Sequence, residues 1–199
     1  MKAFNFPVLR SFPKQRVVLG RILLAYAELE MDLCGVVSYA HDLNIAIKAL
    51  YRMRGEGQRI QIADGLARQV YAAAKLETVF SEMIADMTYA TGIRNQYAHC
   101  VWNRTGKKLS FLDMEAIAYE NGPADKAKTV KRRIDLKLLR QQETFFAYVQ
   151  DCLLYLQSAI QAHQGIKVDK PWPKPAKVPR PPKYRPEPKP VARSKPTAH

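Results

Sequence analysis

Leu19, Ile22, Leu23, Tyr26, Leu29, Leu33 and Val37 recur at steps of three and four residues. That period makes one apolar stripe and predicts a long helix from about Lys14 to Tyr39. Glu30 sits on the stripe, between Tyr26 and Leu33: buried there it needs a partner, and at the stripe's edge it reaches water. Pro7 and Pro13 predict an irregular lead-in from Met1 to Pro13. His41-Asp42 breaks the pattern, Asp42 caps a second helix to Arg54, and Gly55-Glu56-Gly57 ends it. Ile60, Ala63, Leu66, Ala67, Val70 and Ala74 mark a third helix, Gln58 to Lys75, which Gly65 weakens. The most regular pattern is the fourth: Leu76, Val79, Phe80, Met83, Ile84, Met87, Ala90 and Ile93 keep the helical period and carry into His99.

The period then changes. Cys100 to Asn103, a turn from Arg104 to Lys107, and Lys108 to Leu112 predict a short β-hairpin, with Thr129 to Ile134 as a third short strand. Asn121-Gly122-Pro123 between them predicts a loop. Asp135 caps a last long helix to about Gln164, its stripe Leu136, Leu139, Phe146, Val149, Leu153, Leu156 and Ile160. The expected fold is mainly all-α: an up-down bundle of four to five helices over residues 1–165, with a small hairpin insertion. Ten of the thirteen prolines fall between Pro171 and Pro196, interleaved with Lys and Arg. Residues 166–199 are therefore expected to be a disordered, basic, Pro-rich tail, extended and solvated.

Charge sharpens the picture. The chain carries a formal net charge of +14, and Ile166 to His199 hold ten Lys and Arg against Asp169 and Glu187. The helical part is basic even without them, which suits an anionic partner. Cys34, Cys100 and Cys152 are isolated among apolar neighbours, the pattern of reduced thiols rather than of a disulfide framework. MKAFNFPVLRSF has no continuous apolar run of a signal peptide, and no stretch is long and apolar enough for a membrane span, so a cytoplasmic location is expected, with no membrane partner. His41, His99, His163 and His199 lack metal-ligand spacing, and no cofactor is expected.

One constellation suits chemistry. Arg94-Asn95-Gln96-Tyr97-Ala98-His99 closes the fourth helix, with Asn95 four residues before His99 and on its face. This Arg-Asn-x3-His set, on a helical chain, resembles the HEPN family of helical ribonucleases and their inactive relatives. The resemblance covers about Lys14 to Gln164 and rests on Arg94, Asn95 and His99; the hairpin and the tail lie outside it. Some toxins of that family carry a Tyr two residues beyond the His, where this chain has Val101. The resemblance implies metal-independent RNA cleavage by 2′-hydroxyl attack in a defence or toxin–antitoxin setting, and a homodimer in which two motifs face each other. The residue types fit. An imidazole near its ordinary pKa of about 6.5 moves protons at neutral pH. A guanidinium holds a phosphate in a fork and stabilises added charge. Asn95 can orient either by hydrogen bonding. On a straight helix five residues turn by about 140°, so Arg94 and His99 share a cleft only if the helix frays before His99 or two chains contribute.

Plainer roles stand beside these. His99 also suits a helix C-terminal cap, and Arg94 a salt bridge to Glu30 or another carboxylate. Tyr97 and Trp102 can stack a base or join the core. Lys126, Lys128, Lys131, Arg132 and Arg133 form a basic run that can follow an RNA backbone or face solvent, as can Arg52, Arg54 and Arg59. The tail offers Pro179-Arg180-Pro181-Pro182 to a protein partner's groove. The alternative to an enzyme is a non-catalytic, dimeric binding or adaptor module that docks nucleic acid or protein through its basic surface and tail.

Overall fold

The computed structural model describes residues 7–114 and 132–185. The predicted loop at residues 121–123, the start of the third strand, Lys126, Lys128, Lys131 and the tail beyond residue 185 lie outside the described residues. Six helices are described: α1 Pro7–Arg10, α2 Pro13–Ala40, α3 Leu43–Tyr51, α4 Glu56–Ala73, α5 Glu77–Ala98 and α6 Leu136–His163. Strands β1 Cys100–Thr105, β2 Lys108–Asp113 and β3 Arg132–Ile134 form one antiparallel sheet in the order β1-β2-β3. The molecule is mainly helical with a small sheet.

Local chemistry accounts for the boundaries. Pro13 starts α2, where a missing N–H costs nothing. The Asp42 carboxylate accepts from the N–H groups of Asn44 and Ile45, and that of Asp135 from Leu138, so each caps a helix as its sequence predicts. The lead-in is not wholly irregular: Pro7 opens the single turn of α1, which seats Leu9 and Phe12 in the core. In the hairpin Thr105 faces Lys108, so the turn has two central residues. The first is Gly106 at φ +60, a conformation glycine adopts without strain.

Helix α6 lies along α2. Arg21 meets Glu143, Gln150 meets Asp32, and Gln164 meets the carbonyl of Tyr39. These pairs ascend together, so the two helices run in the same direction. At Gly35 the Gln157 side chain lies over the bare backbone of α2: a Cβ there would sit 2.8 Å from its amide, which would have to move. Helix α5 runs opposite to α6, with Tyr97 against Gln142 and Tyr89 edge-on to Phe145. Tyr71 of α4 stacks on Phe80 of α5, ring centroids 4.9 Å apart. The sheet closes the end of α5 through Tyr97, Trp102 and Phe111, packed ring to ring.

Two departures from expectation concern surfaces. Leu23, assigned to the buried stripe, is at the surface, and Val17, Leu24 and Met31 make an exposed row at seven-residue steps on α2, Leu24 being 74% exposed. The tail is not detached over residues 166–185. It is extended, as its prolines dictate, but it runs back over α5 and α6: Pro181 is buried, and the backbone of Arg185 bonds to Arg133 at β3. Side chains on the two helices supply the polar partners that an isolated extended chain would seek in water.

Candidate functional site

The buried face of α5 is Phe80, Met83, Met87, Ala90, Ile93 and Tyr97. With Ile93 turned fully into the core, Arg94 falls about 100° round the helix, at the edge that faces α2 and the start of α4. There its Nη1 donates to Glu56 Oε1 at 2.9 Å and to Asn95 Oδ1 at 3.0 Å. Its Cζ lies 5.3 Å from the centroid of the Tyr26 ring. Arg94 and Glu56 are both about three-quarters buried, so water screens the pair only in part.

Tyr26 belongs to the same layer. Its hydroxyl shares a hydrogen bond with Thr91 Oγ1 at 3.0 Å. Burial pushes its pKa up to about 12, with Glu30 and Glu56 adding to the rise and Thr91 and Arg94 opposing it. The ring is therefore neutral and offers its face to the guanidinium. One turn away, Arg59 donates to Glu30 at 2.7 Å and lies over Tyr51. Glu30 is thus half-buried with a partner, and that partner is not Arg94. The first turn of α4 presents Glu56 to α5 and Arg59 to α2, joining three helices by two ion pairs.

Glu56 was absent from the sequence-based site because Gly55-Glu56-Gly57 looks like a turn. The structure starts α4 at Glu56, with Gly55 as its N-cap. The readable signal was an acid directly after a glycine at a helix start, where the dipole favours negative charge.

The helix ends at Ala98. His99 is its C-cap, with φ −117 and ψ 29, and its N–H bonds to the Asn95 carbonyl at 3.0 Å. The helix therefore does not fray before His99: it stays regular through Ala98 and leaves helical geometry only at His99 itself, so of the two conditions that the 140° turn imposed the contribution of a second chain is the one left open. The His99 side chain is exposed, while Arg94 and Asn95 are half-buried. Asn95 connects the set: its side-chain oxygen accepts from Arg94, and its backbone holds His99 one turn on. Its amide nitrogen is then the group left to face a ligand or the imidazole.

Tyr97 is not available to a base. It is buried, its hydroxyl donates to Gln142 at 2.7 Å, and burial raises its pKa. Trp102 is stacked on it. Cys100 next to His99 is held protonated: burial first, and Asp113 second, push its pKa up to about 12.

Of the basic run, Arg132 is committed internally, paired with Asp113 and placed over the Tyr184 ring. Arg133 lines a cleft of about 540 Å³ between the sheet and the start of α6, together with Lys107, Lys108 and Arg185. Among the described residues no cluster of His, Cys, Asp and Glu could hold a metal ion, and no helix is long and apolar enough to cross a membrane. Compared with protein-family models, curated proteins and solved structures, the chain matches none.

Proposed function

We propose that the end of α5 is a metal-independent RNA-cleaving site of the HEPN kind, within an up-down bundle of four to five long helices. The observation that carries the reading is the connected set Arg94–Asn95–His99, with a half-buried guanidinium at one end and an exposed imidazole at the other. In this reading a ribose 2′-hydroxyl attacks the adjacent phosphorus and the 5′-oxygen leaves. His99 moves a proton to or from those oxygens. Arg94 stabilises the charge that builds on the non-bridging oxygens. Asn95 directs its amide N–H groups to the phosphate. Both hydrogen bonds of Arg94 use Nη1, which leaves Nε and Nη2 as donors to a phosphate arriving at the outer edge of the fork. Glu56 neutralises part of the guanidinium charge and competes with that phosphate.

A homodimer belongs to the same reading. A second copy can bring its own motif to face this one, and the exposed Val17, Leu24 and Met31 row supplies an apolar face of the sort that subunits cover. The test is cleavage of RNA in excess chelator by the protein and by His99→Ala and Arg94→Ala. Loss of activity in both variants supports the reading; equal trace activity in all three refutes it.

One observation favours the adaptor alternative. The cleft at Lys107, Lys108 and Arg133, with Arg185 paired to Asp135 in its lining, sits on the sheet and needs no chemistry to hold a phosphate backbone. Under that alternative, reversing Lys107 and Lys108 abolishes RNA binding while His99→Ala leaves it intact.

A further inference from the structure

The side chains of α5 that meet residues 177–185 form a single row. Glu82 pairs with Lys177 at 3.2 Å, and Asp86 with Arg180 Nε at 2.7 Å. The Tyr89 hydroxyl donates to the Pro181 carbonyl at 2.7 Å, and Gln96 donates to the Lys183 carbonyl at 2.9 Å. Positions 82, 86, 89 and 96 share one helical face. From α6, Gln142 donates to the carbonyls of Pro182 and Lys183 at 2.8 and 3.0 Å. Tyr89 also carries cations on its ring, with Arg180 Cζ at 5.3 Å and Lys183 Nζ at 5.6 Å. Where Lys183 crosses α5 the helix has Gly92, and a Cβ there would sit 2.7 Å from Nζ.

The lengths agree. Fourteen residues of α-helix from Glu82 to Gln96 span about 21 Å. Six residues of polyproline II chain from Lys177 to Lys183 span about 19 Å. A helical or turned segment could not meet the same four side chains. Prolines pre-set the extended form, so ordering it costs little entropy.

We propose that the α5–α6 groove is a recognition site for a basic, proline-containing extended peptide, and that residues 177–185 are its ligand in cis, exchangeable for the same segment supplied in trans. The groove reads the peptide as binding sites do. Three carbonyls accept from Tyr89, Gln96 and Gln142, which recognises backbone at any sequence. Asp86, a carboxylate only 5% exposed, selects an arginine. Tyr89 selects cations above its ring. The segment touches the core at two points, with Pro181 buried and Val178 packed half-buried against it, while Pro179, Arg180, Pro182 and Lys183 are exposed. Water can replace the contacts when the segment leaves, so the groove survives its departure. This inference does not depend on the RNA-cleaving reading, because Arg94 and Glu56 lie on the other side of α5.

The experiment uses the full chain with a specific protease site placed at residues 167–170, between α6 and the segment. After cutting, the liberated C-terminal piece should stay with the helical part on size-exclusion chromatography. Excess fluorescent peptide spanning residues 174–185 should then exchange into the groove. The same peptide with Arg180→Glu should compete about tenfold less well or worse, as expected for breaking a partly buried charge pair. An Asp86→Arg protein should reverse that preference. Prompt dissociation with no capture of added peptide overturns the proposal. So does unfolding of the helical part on cutting, which would make the segment an integral part of the core. Equal binding of the wild-type and Arg180→Glu peptides overturns the assignment of Asp86 as the selecting group.

Discussion

Glu56→Gln separates a structural ion pair from a competitor for substrate. Gln keeps an oxygen for Arg94 Nη1 but removes the charge. The partners are 2.9 Å apart and each is 26% exposed. At an effective dielectric of about 20 and a charge separation of about 4 Å the gross attraction is about 4 kcal/mol. Most of that is offset by desolvation, and a hydrogen bond to a charged group exceeds a neutral one by about 1 kcal/mol. Glu56 also lies in the first turn of α4, where its charge adds about 0.3–1 kcal/mol. The variant should therefore lose between about 1 and 2 kcal/mol, a fall in Tm of about 3–6 °C for a chain of this size. RNA binding should move the other way. A guanidinium without its carboxylate gains about 1 kcal/mol toward a phosphate, so Kd for a short single strand should fall about fivefold at low salt. The slope of log K against log salt should steepen by about 0.7 for the added contact. Thermal unfolding and fluorescence anisotropy read the two effects separately. Lower stability with unchanged or weaker RNA binding refutes the role given to Arg94.

The other predictions concern the groove, ionisation and assembly. Gln142→Leu leaves the buried Tyr97 hydroxyl without its acceptor and two tail carbonyls without their donor. It should cost about 2–4 kcal/mol in urea unfolding, and adding Tyr97→Phe should recover part of the loss in a double-mutant cycle. Cys100 titrates near 12 against an ordinary 9.0, and Tyr26 near 12 against 10.0. Raised values mean that their stability contribution is complete below about pH 9 and is lost as pH climbs toward 12, which unfolding midpoints along an alkaline series will show. Asp135 is shifted the other way: burial raises it, but Arg185, the Leu138 N–H and Lys137 together bring it below its usual 3.8. Its contribution is present above that value and lost as pH falls through the folded pKa, so acid should loosen the tail at Arg185, seen as faster proteolysis there. Leu24→Glu should shift a dimer to monomer in sedimentation equilibrium while leaving Tm nearly unchanged, since Leu24 touches water and not the core.

The helices were readable because each buries one stripe, and periodicity records burial directly. Met83, Met87, Ala90 and Ile93 became the core face of α5 as their spacing required, and Asp42 and Asp135 cap the helices their positions suggested. Leu23 went wrong because Ile22 and Tyr26 already fill the stripe, leaving it at the rim. Tyr71, wholly buried against Phe80, fell outside an alanine-rich pattern. Within the site, Arg94, Asn95 and His99 were visible as neighbours in one helix end. The Glu56 partner was not, since it lies 38 residues away and its meeting with Arg94 depends on how α4 crosses α5. The tail shows the same limit. Proline content dictates an extended chain, but the groove that receives it is made of Asp86, Tyr89, Gln96 and Gln142, residues on two distant helices.

The most direct test of the α5 site is the chemistry of the ends it produces. An RNA oligonucleotide cut in excess chelator should yield 2′,3′-cyclic phosphate and 5′-hydroxyl ends. The same oligonucleotide with a single 2′-deoxy sugar at the cut should remain whole at that position, and His99→Ala should leave both intact. Cleavage of the deoxy substrate, or cleavage that survives His99→Ala, contradicts the account.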